Sequence, residues 1–356
     1  MDLDQSEKKK LFSLFENIKK EAGTDGITKT QESDVLIVDA LNLFIRCWSV
    51  SPFMNDDGVH TGGVSGFLKS LGSSIKLFTP TRCILVFDGS GGSMKRRKIY
   101  PEYKNKRVTK VRINRSYVDN TSVDEEERNL KRQLIRTINY LDCLPVTTMA
   151  VDNVEADDVI AYLALDKFKN SDVTIMSTDK DFLQLANSRI KVWSPTKKKL
   201  YGCAEILGEY GISCENLINY RILEGDTSDN IPGIPGAGLK TIKKCFPIFE
   251  ENRRYSIEEI LNYCDTHKGK YKLYNTILEN KFILERNYEL MQLNSTMVQN
   301  FTQLRINEIV DQNCVKLNRF GFSKLVTEDK IWNNIPGYQV WLGEVFGKLD
   351  NFVKVI

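Results

Sequence analysis

The stretch "VEADDVIAYLA" sets Glu155, Asp157 and Asp158 side by side, just before an apolar helical stripe of Val159, Ile160 and Leu163. Carboxylates this close repel one another, and burying one without a partner is costly. Further acids stand where they could join them. The apolar runs "VLIVD" (35–39), "CILVFD" (83–88) and "VTIMSTD" (173–179) end in Asp39, Asp88 and Asp179, with Asp181 two residues on. "GDTSDNIPG" (225–233) adds Asp226 and Asp229. Taken singly, a strand-end aspartate reads as a turn or helix-capping residue, and Glu155 and Asp157 as acids favouring a helix N-terminus. Gathered in one crevice, these groups could not all stay ionised without cations. Hard divalent ions with oxygen ligands resolve that repulsion, and Mg²⁺ or Mn²⁺ suits an all-carboxylate site. Two such ions about 4 Å apart would activate a water and steady the leaving oxygen of a phosphodiester.

Positive charge follows directly on Asp88. "MKRRKIYPEYKNKRVTKVRINR" (94–115) carries Lys95, Arg96, Arg97, Lys98, Lys104, Lys106, Arg107, Lys110, Arg112 and Arg115, with Glu102 as its only acid. A solvated face is the plain reading. Beside an acidic crevice, however, such cations would hold a phosphate that the carboxylates alone repel. Tyr100 and Tyr103 interleave with them as surfaces for unpaired bases. In "IPGIPGAGLKTIKK" (231–244), Gly236 and Gly238 precede a Lys-rich helix. Leu239 interrupts the Gly-Lys-Thr order of a P-loop, but a glycine turn at a helix start still offers backbone N–H groups to phosphate, with Lys240, Lys243 and Lys244 adding charge. "GSGG" (89–92) reads as a flexible connection.

The apolar runs behave as strands covered on both faces, and helical patterns fall at about 63–77, 125–141 and 155–168. Their alternation predicts an α/β fold with a mostly parallel central sheet and helices on both faces. Ligands of such sheets gather outside the carboxyl ends of the strands, where these aspartates lie. After 215 the pattern turns helical. Residues 6–20 predict a short helix, followed by a linker. In "QVWLGEVF" (339–346) Val345 stands where a sliding-clamp peptide needs an aromatic. Trp341, Leu342, Val345, Phe346, Leu349, Phe352, Val353 and Ile356 equally fit a helix docked on its own core.

With 356 residues, 41% apolar composition and a net charge of +3, the chain can bury a sizeable core, and any nucleic-acid binding must rest on local patches. Eight cysteines without a C-x-x-C pair and only two histidines disfavour structural zinc, and free thiols in a reducing compartment are expected. No run suits a membrane span or secretory signal. The chain is read as cytoplasmic and monomeric.

Together, "VLIVDALNLFIR", "VFDG", "YPEYKNKR", "VEADDVIA", "STDKDFLQL" and "GDTSDNIPGIPGAGLKT" resemble the 5′-nuclease (flap endonuclease) family in its bacterial and phage form, including phage primer-removing nucleases of the RNase H type. The resemblance covers about 34–325, with a weaker match at "FGFSKL" (320–325). It implies a PIN-like catalytic domain at 34–214 with a helical arch at about 92–128. A helical DNA-binding region with a helix–hairpin–helix would occupy 215–325, between an extension at 1–33 and a tail at 326–356. It further implies a stand-alone 5′-3′ exonuclease and flap endonuclease acting on DNA with a free 5′ end or on RNA–DNA primers. Asp88, Glu155, Asp157, Asp158 and Asp179 match the first metal site, with Asp39 beside it. Asp179, Asp181, Asp226 and Asp229 match the second. Lys104 and Arg107, with a catalytic role, match basic residues at the base of the helical arch through which the 5′ strand passes, where the family's usual "YKANR" stands here as "YKNKR". Arg46, Arg96, Arg97, Tyr100 and Tyr103 join them as DNA contacts. The Gly236/Gly238 turn matches the element that grips duplex backbone, often with a K⁺ ion, and Lys240 and Lys243 follow it. A sliding clamp or single-strand-binding protein would be a natural partner.

Two other classes compete. A catalytically weak DNA-structure binder would keep the basic elements but has no need of the complete acidic set. A haloacid-dehalogenase phosphatase wants Asp-x-Asp after its first strand, whereas Asp39 is followed by Ala40 and Leu41.

Overall fold

Alternate residues of β1 (Asp34–Asp39) enter different cores: Val35 and Ile37 one, Leu36 and Val38 the other. β2 (Arg82–Asp88) repeats the division, with Ile84 and Val86 opposed to Cys83 and Leu85. A strand covered on both faces reads as one continuous apolar run, so its period of two is hidden in the sequence. The computed structural model describes residues 32–105, 123–294, 298–312 and 314–353. The helix expected at 6–20, and Arg107 with most of the basic segment beyond it, lie outside them.

The sheet is completed by β3 (Thr147–Val151), β4 (Asp172–Met176), β5 (Ile190–Ser194) and β6 (Lys199–Tyr201), in the order β3-β2-β1-β4-β5-β6. All neighbours are parallel except β5 and β6. This is the α/β fold that the alternation of elements predicts. β3, β5 and β6 escape a search for apolar runs. β3 opens on two threonines, β5 interleaves Lys191, and β6 is only three residues long. The chain leaves β1 toward β2 on one side and returns as β4 on the other, so the switch point of the topology lies at the ends of β1 and β4.

One face is covered by α1 (Ala40–Val50), α2 (Gly62–Phe78) and α4 (Val123–Leu141), joined by α13 (Arg319–Asp329) and α14 (Tyr338–Asp350). The other carries α5 (Ala156–Tyr162), α6 (Cys203–Tyr210), α7 (Leu217–Glu224) and α8 (Leu239–Cys245), then α9 (Ile257–Thr266), α10 (Lys272–Glu279), α11 (Lys281–Met291) and α12 (Asn300–Asp311). A single apolar cluster runs from β1 to Val310, so the helices α7 to α12 share the core on that face of the sheet. After β2 the basic segment opens with the short α3 (Met94–Ile99).

Several local expectations change. The strand expected to reach Asp179 stops at Met176, and Ser177–Asp179 turn into a 3₁₀ segment, Lys180–Leu185. The helix expected at 155–168 widens into a π turn after Tyr162. "GSGG" is a close crossing and not a flexible connection: a Cβ on Gly89 would lie 2.1 Å from the Val151 carbonyl oxygen. Cys203 and Cys214 form a disulfide, against the expectation of free thiols throughout. α6 and the left-handed turn at Gly211 fold the chain back, bringing these Cα atoms within 5.2 Å although 11 residues separate them. In α14, Leu342, Val345, Phe346 and Leu349 are buried in the core, as the docked-helix reading expects; Ile356 lies outside the described residues. No helix among the described residues is long and apolar enough to cross a membrane.

Candidate active site

The strand-end aspartates cap helices and cluster at once. Asp39 Oδ1 accepts from the Asn42 amide at 3.3 Å, at the start of α1. Asp88 Oδ1 accepts from the Ala156 amide at 3.0 Å, so β2 caps α5 from across the crevice. Asp179 Oδ1 accepts from the Asp181 amide at 2.9 Å, capping the 3₁₀ segment. The N-termini of these helical segments thus turn toward the same carboxylates, and their dipoles offset part of the repulsion. Ser177 ties two of the acids together: its Oγ donates to Asp39 Oδ2 at 2.8 Å and accepts from the Asp179 amide at 3.0 Å.

Cations within the fold hold Glu155, Asp158, Asp181, Asp226 and Asp229. Arg96 donates to Glu155 Oε2 and Asp158 Oδ2 at 2.7 Å, to Asp158 Oδ1 at 2.8 Å, and to the Leu290 carbonyl at 2.8 Å. Lys104 reaches Glu155 Oε1 at 2.8 Å and lies 3.7 Å from Asp229. Its backbone is left-handed at φ 57°, and its amide donates to the Asp229 carbonyl. The Tyr103 hydroxyl donates to Glu155 and lies 3.2 Å from Asp229. Arg221 of α7 bridges Asp181 at 2.8 Å and Asp226 at 2.6 Å. Asp226 also accepts from the Ser228 and Asp229 amides, which closes the turn.

Asp39, Asp88, Asp157 and Asp179 have no ion pair among the described residues. Burial, with Asp179 and Asp88 nearby, raises the Asp39 carboxyl to about 7. Burial raises Asp157 well above the usual range, with repulsion from Asp179 and Asp39 adding to it. Asp179 is raised by burial and by Asp229 and Asp226. Burial lifts Asp181 to about 7 even with Arg221 opposing. Glu155 and Asp226 move the other way, because Lys104 and Arg96 hold the first and Ser228 and Arg221 the second, against burial in both cases.

These interactions gather Asp39, Asp88, Glu155, Asp157, Asp179, Asp181, Asp226 and Asp229 into one electrostatic network at the switch point. Asp158 differs, since both its oxygens are engaged by Arg96. Among the described residues no three His, Cys, Asp or Glu side chains stand close enough to enclose an ion. Arg96, Lys104 and Arg221 draw several of the acids to themselves. The unpaired acids nonetheless fit a divalent ion by their chemistry, being hard oxygen donors whose deprotonated forms disfavour one another.

The expected DNA contacts divide. Arg97, Lys240 and Lys243 are exposed, Arg46 and Tyr100 half-buried, and the Arg286 guanidinium lies 4.7 Å from the Tyr100 ring centre. Gly236 is left-handed at φ 84°, and Gly238 stands at the start of α8 with open space around both. Arg96 and Tyr103 are corrections. At 3% and 2% exposure they are interior groups that organise the acids, unable to lie against a base or phosphate as placed here. Sequence reasoning missed Arg221, although a lone arginine in the apolar helix "LINYRILE" must find an acid if it is buried. It also missed Gln184, which bonds the Asp181 and Met291 carbonyls and the Leu293 amide, and Asn287, which bonds the Ile222 and Pro232 carbonyls. These amides fix the 3₁₀ segment and the 225–232 hairpin against α11.

A mostly parallel sheet with an acidic crevice at its switch point defines a class of open α/β protein whose candidate site lies at the carboxyl ends of the strands. Residues 34–211 match the family described as the 5′-3′ exonuclease, N-terminal resolvase-like domain, and the chain belongs to that family. It is 31% identical over 248 residues to DNA polymerase I of Bacillus subtilis (strain 168), which covers 68% of this chain but 26% of that relative. It is 32% identical over 208 residues to the 5′-3′ exonuclease of Aquifex aeolicus (strain VF5), covering 58% of this chain and 66% of the relative. Both alignments thus span less than two thirds of the relative. Among solved structures, the flap endonuclease of bacteriophage T5, determined with DNA and metal ions, superposes with a TM-score of 0.58 at 23% identity. That match covers 78% of this chain and 100% of the other, and establishes a shared fold.

Proposed function

We propose that this protein is a divalent-metal-dependent 5′ nuclease that hydrolyses phosphodiesters near the 5′ ends of branched DNA or of RNA–DNA primers. The observation that carries this reading is the convergence of Asp39, Asp88, Asp157 and Asp179, without ion pairs among the described residues, at the switch point of the sheet. Asp39, Asp88, Asp157 and Asp179, with Asp181, Asp226 and Asp229 behind them, are the residues to hold Mg²⁺ or Mn²⁺. The ions supply an activated water and charge stabilisation at the leaving oxygen. Lys104 and Arg107 are assigned to the scissile phosphate, and Arg46, Arg97 and Tyr100 to the strand entering the crevice. Gly236, Gly238, Lys240 and Lys243 are assigned to duplex backbone, with K⁺ as the ion that turn would take. Glu155 and Asp158 are proposed to act through Arg96 in the arrangement described. We further infer action in the cytoplasm, as a monomer. A single-strand-binding partner fits the substrate, whereas burial of Leu342, Val345 and Phe346 argues against a clamp peptide at 339–346.

The test is cleavage of a 5′-labelled flap substrate with Mg²⁺ and with EDTA. Asp179→Asn should abolish cleavage and retain most of the DNA affinity, because its carboxylate couples to both halves of the acidic network. Near wild-type turnover by Asp179→Asn would remove the two-ion assignment. Metal-independent binding without any cleavage by the wild type would favour a DNA-structure binder of the same fold.

A further inference from the structure

The disulfide between Cys203 and Cys214 lies on a join between two parts of the acidic network. Cys203 opens α6, and its Sγ lies 3.5 Å from the carbonyl oxygen of Ala186, which ends the 3₁₀ segment carrying Asp181. Cys214 begins a short 3₁₀ turn, Cys214–Asn216, that runs directly into α7, the helix of Arg221. The covalent bond and the Arg221–Asp181 ion pair therefore cross the same join. The acids divide along it. Asp179 and Asp181 stand on the first side, whereas Asp226 and Asp229 follow α7 on the second.

Each side has its own anchorage. α6 is fixed to the β5–β6 pair through Glu209, which accepts from Lys197 at 2.8 Å, from Lys199 at 2.7 Å and from the Tyr201 hydroxyl at 2.8 Å. The Cys214 side is fixed elsewhere: the Ser213 amide donates to the Phe249 carbonyl at 2.8 Å, and Asn216 Nδ2 to the Arg253 carbonyl at 2.8 Å. Opening the bond would thus leave both sides folded and free them to move relative to one another. The two cysteines also differ in access, since Cys203 is half-buried and Cys214 is buried. An incoming thiolate meets Cys203. In a reducing cytoplasm, disulfides that do form are usually transient, catalytic or redox-sensing.

We propose that Cys203–Cys214 is a thiol-exchange site whose opening loosens the join between the two acid-bearing segments, and with it their grip on divalent ions. A thiolate of a dithiol reductant attacks Cys203 Sγ, the bond to Cys214 breaks, and Cys214 leaves as a thiolate that takes up a proton. The second thiol of the reductant then attacks its own mixed-disulfide sulfur and releases Cys203, which is protonated in turn. The protein gains two electrons and two protons, and the reductant becomes a disulfide. With the bond open, the Arg221–Asp181 pair alone spans the join, and Asp181 and Asp226 lose their fixed separation. The consequence for the ions rests on the nuclease reading; the exchange at Cys203 does not.

The oxidised wild type, the wild type after dithiothreitol and the Cys203→Ser/Cys214→Ser variant are compared in three ways. These are thiol alkylation under native conditions, amide hydrogen exchange in EDTA, and Mn²⁺ titration without nucleic acid. Reduction should add two alkylated thiols, at Cys203 and Cys214. Amides at 214–226 should then exchange faster, and Mn²⁺ affinity should fall about tenfold, as when a group that orients a metal ligand is lost. The double variant should match the reduced protein and no longer respond to dithiothreitol. A disulfide that acts only by constraining the unfolded chain would lower the thermal midpoint on opening and leave Mn²⁺ affinity equal in both forms. That result overturns the proposal, as does failure to gain the two thiols or unchanged exchange at 214–226. If no form binds Mn²⁺, the nuclease reading fails, and hydrogen exchange alone decides whether the bond controls the join.

Discussion

Arg96, Glu155 and Asp158 bury opposite charges together, each with 3% of its surface exposed. Removing one member of such a group leaves an uncompensated interior charge, at a cost of about 3–5 kcal/mol. Arg96→Met should therefore lower unfolding stability by that order in urea titrations, and adding Asp158→Leu should recover part of the loss. A loss below about 1 kcal/mol would show that water already reaches these acids. The acids outside that group behave differently. Asp39 and Asp181 are raised to about 7 in the folded protein, from the 3.8 of an unperturbed aspartate. The folded state holds these protons more tightly than the unfolded one. The stability they contribute is complete below about pH 4 and lost as pH rises through about 7. A bound divalent ion removes the repulsion responsible, so stabilisation by Mg²⁺ should grow between about pH 5 and about pH 8. Thermal midpoints with and without Mg²⁺ across that range test this, and a pH-independent difference would contradict it. The types of these residues were legible in the sequence because carboxylates at strand ends are unusual in number. Their partners were not: Arg221 meets Asp181 across 40 residues, and only the fold states that distance. The basic segment misled for the same reason, since charge pattern alone gives Arg96 and Arg97 equal standing while one is buried and the other exposed.

At the scale of elements, the hairpin that carries Asp226 and Asp229 is held by backbone contact. Gly225 is left-handed at φ 79°, and a Cβ on Gly233 would lie 2.1 Å from the Glu224 carbonyl oxygen and 2.6 Å from that of Leu223. Those atoms belong to the end of α7 and cannot move without displacing Arg221. Gly233→Ala should thus cost about 1–3 kcal/mol and weaken the stabilisation by Mg²⁺, read together in one thermal-shift series. An unchanged midpoint with full stabilisation would show that the hairpin re-seats freely. The glycines of "GDTSDNIPG" signal a turn in the sequence, but their close approach depends on how α7 ends. Elements with a strong period or a continuous apolar run, such as β1, β2, α2 and α4, were readable within a few residues. β3 and β5 were not, because strands with polar or charged positions resemble loops until neighbours supply their hydrogen bonds. The capping reading and the clustering reading of Asp39, Asp88 and Asp179 proved compatible, since the caps orient the carboxylates into the crevice.

Across the whole molecule the net charge is only +3, so attraction to nucleic acid must be local, and the two basic regions should act differently. Lys104 sits within the acidic network, its side chain 12% exposed and paired with Glu155. A cation there is placed to meet the charge that develops on a phosphate under attack. Lys240 and Lys243 lie exposed on α8, on a helix that carries none of the network's acids. Lys104→Ala should lower the single-turnover rate at saturating enzyme by about tenfold to a thousandfold, as for loss of one electrostatic contact in the transition state. Lys240→Ala and Lys243→Ala should weaken binding on every sequence alike, with the salt dependence of affinity falling by about 1 per lost contact, and leave the saturated rate nearly unchanged. Single-turnover kinetics against enzyme concentration, repeated at several salt concentrations, read both quantities from the same substrate. If Lys104→Ala altered affinity alone, its pairing with Glu155 would be structural. If Lys243→Ala altered the saturated rate alone, α8 would be reaching the reacting phosphate. Either result would relocate chemistry and anchoring within the fold.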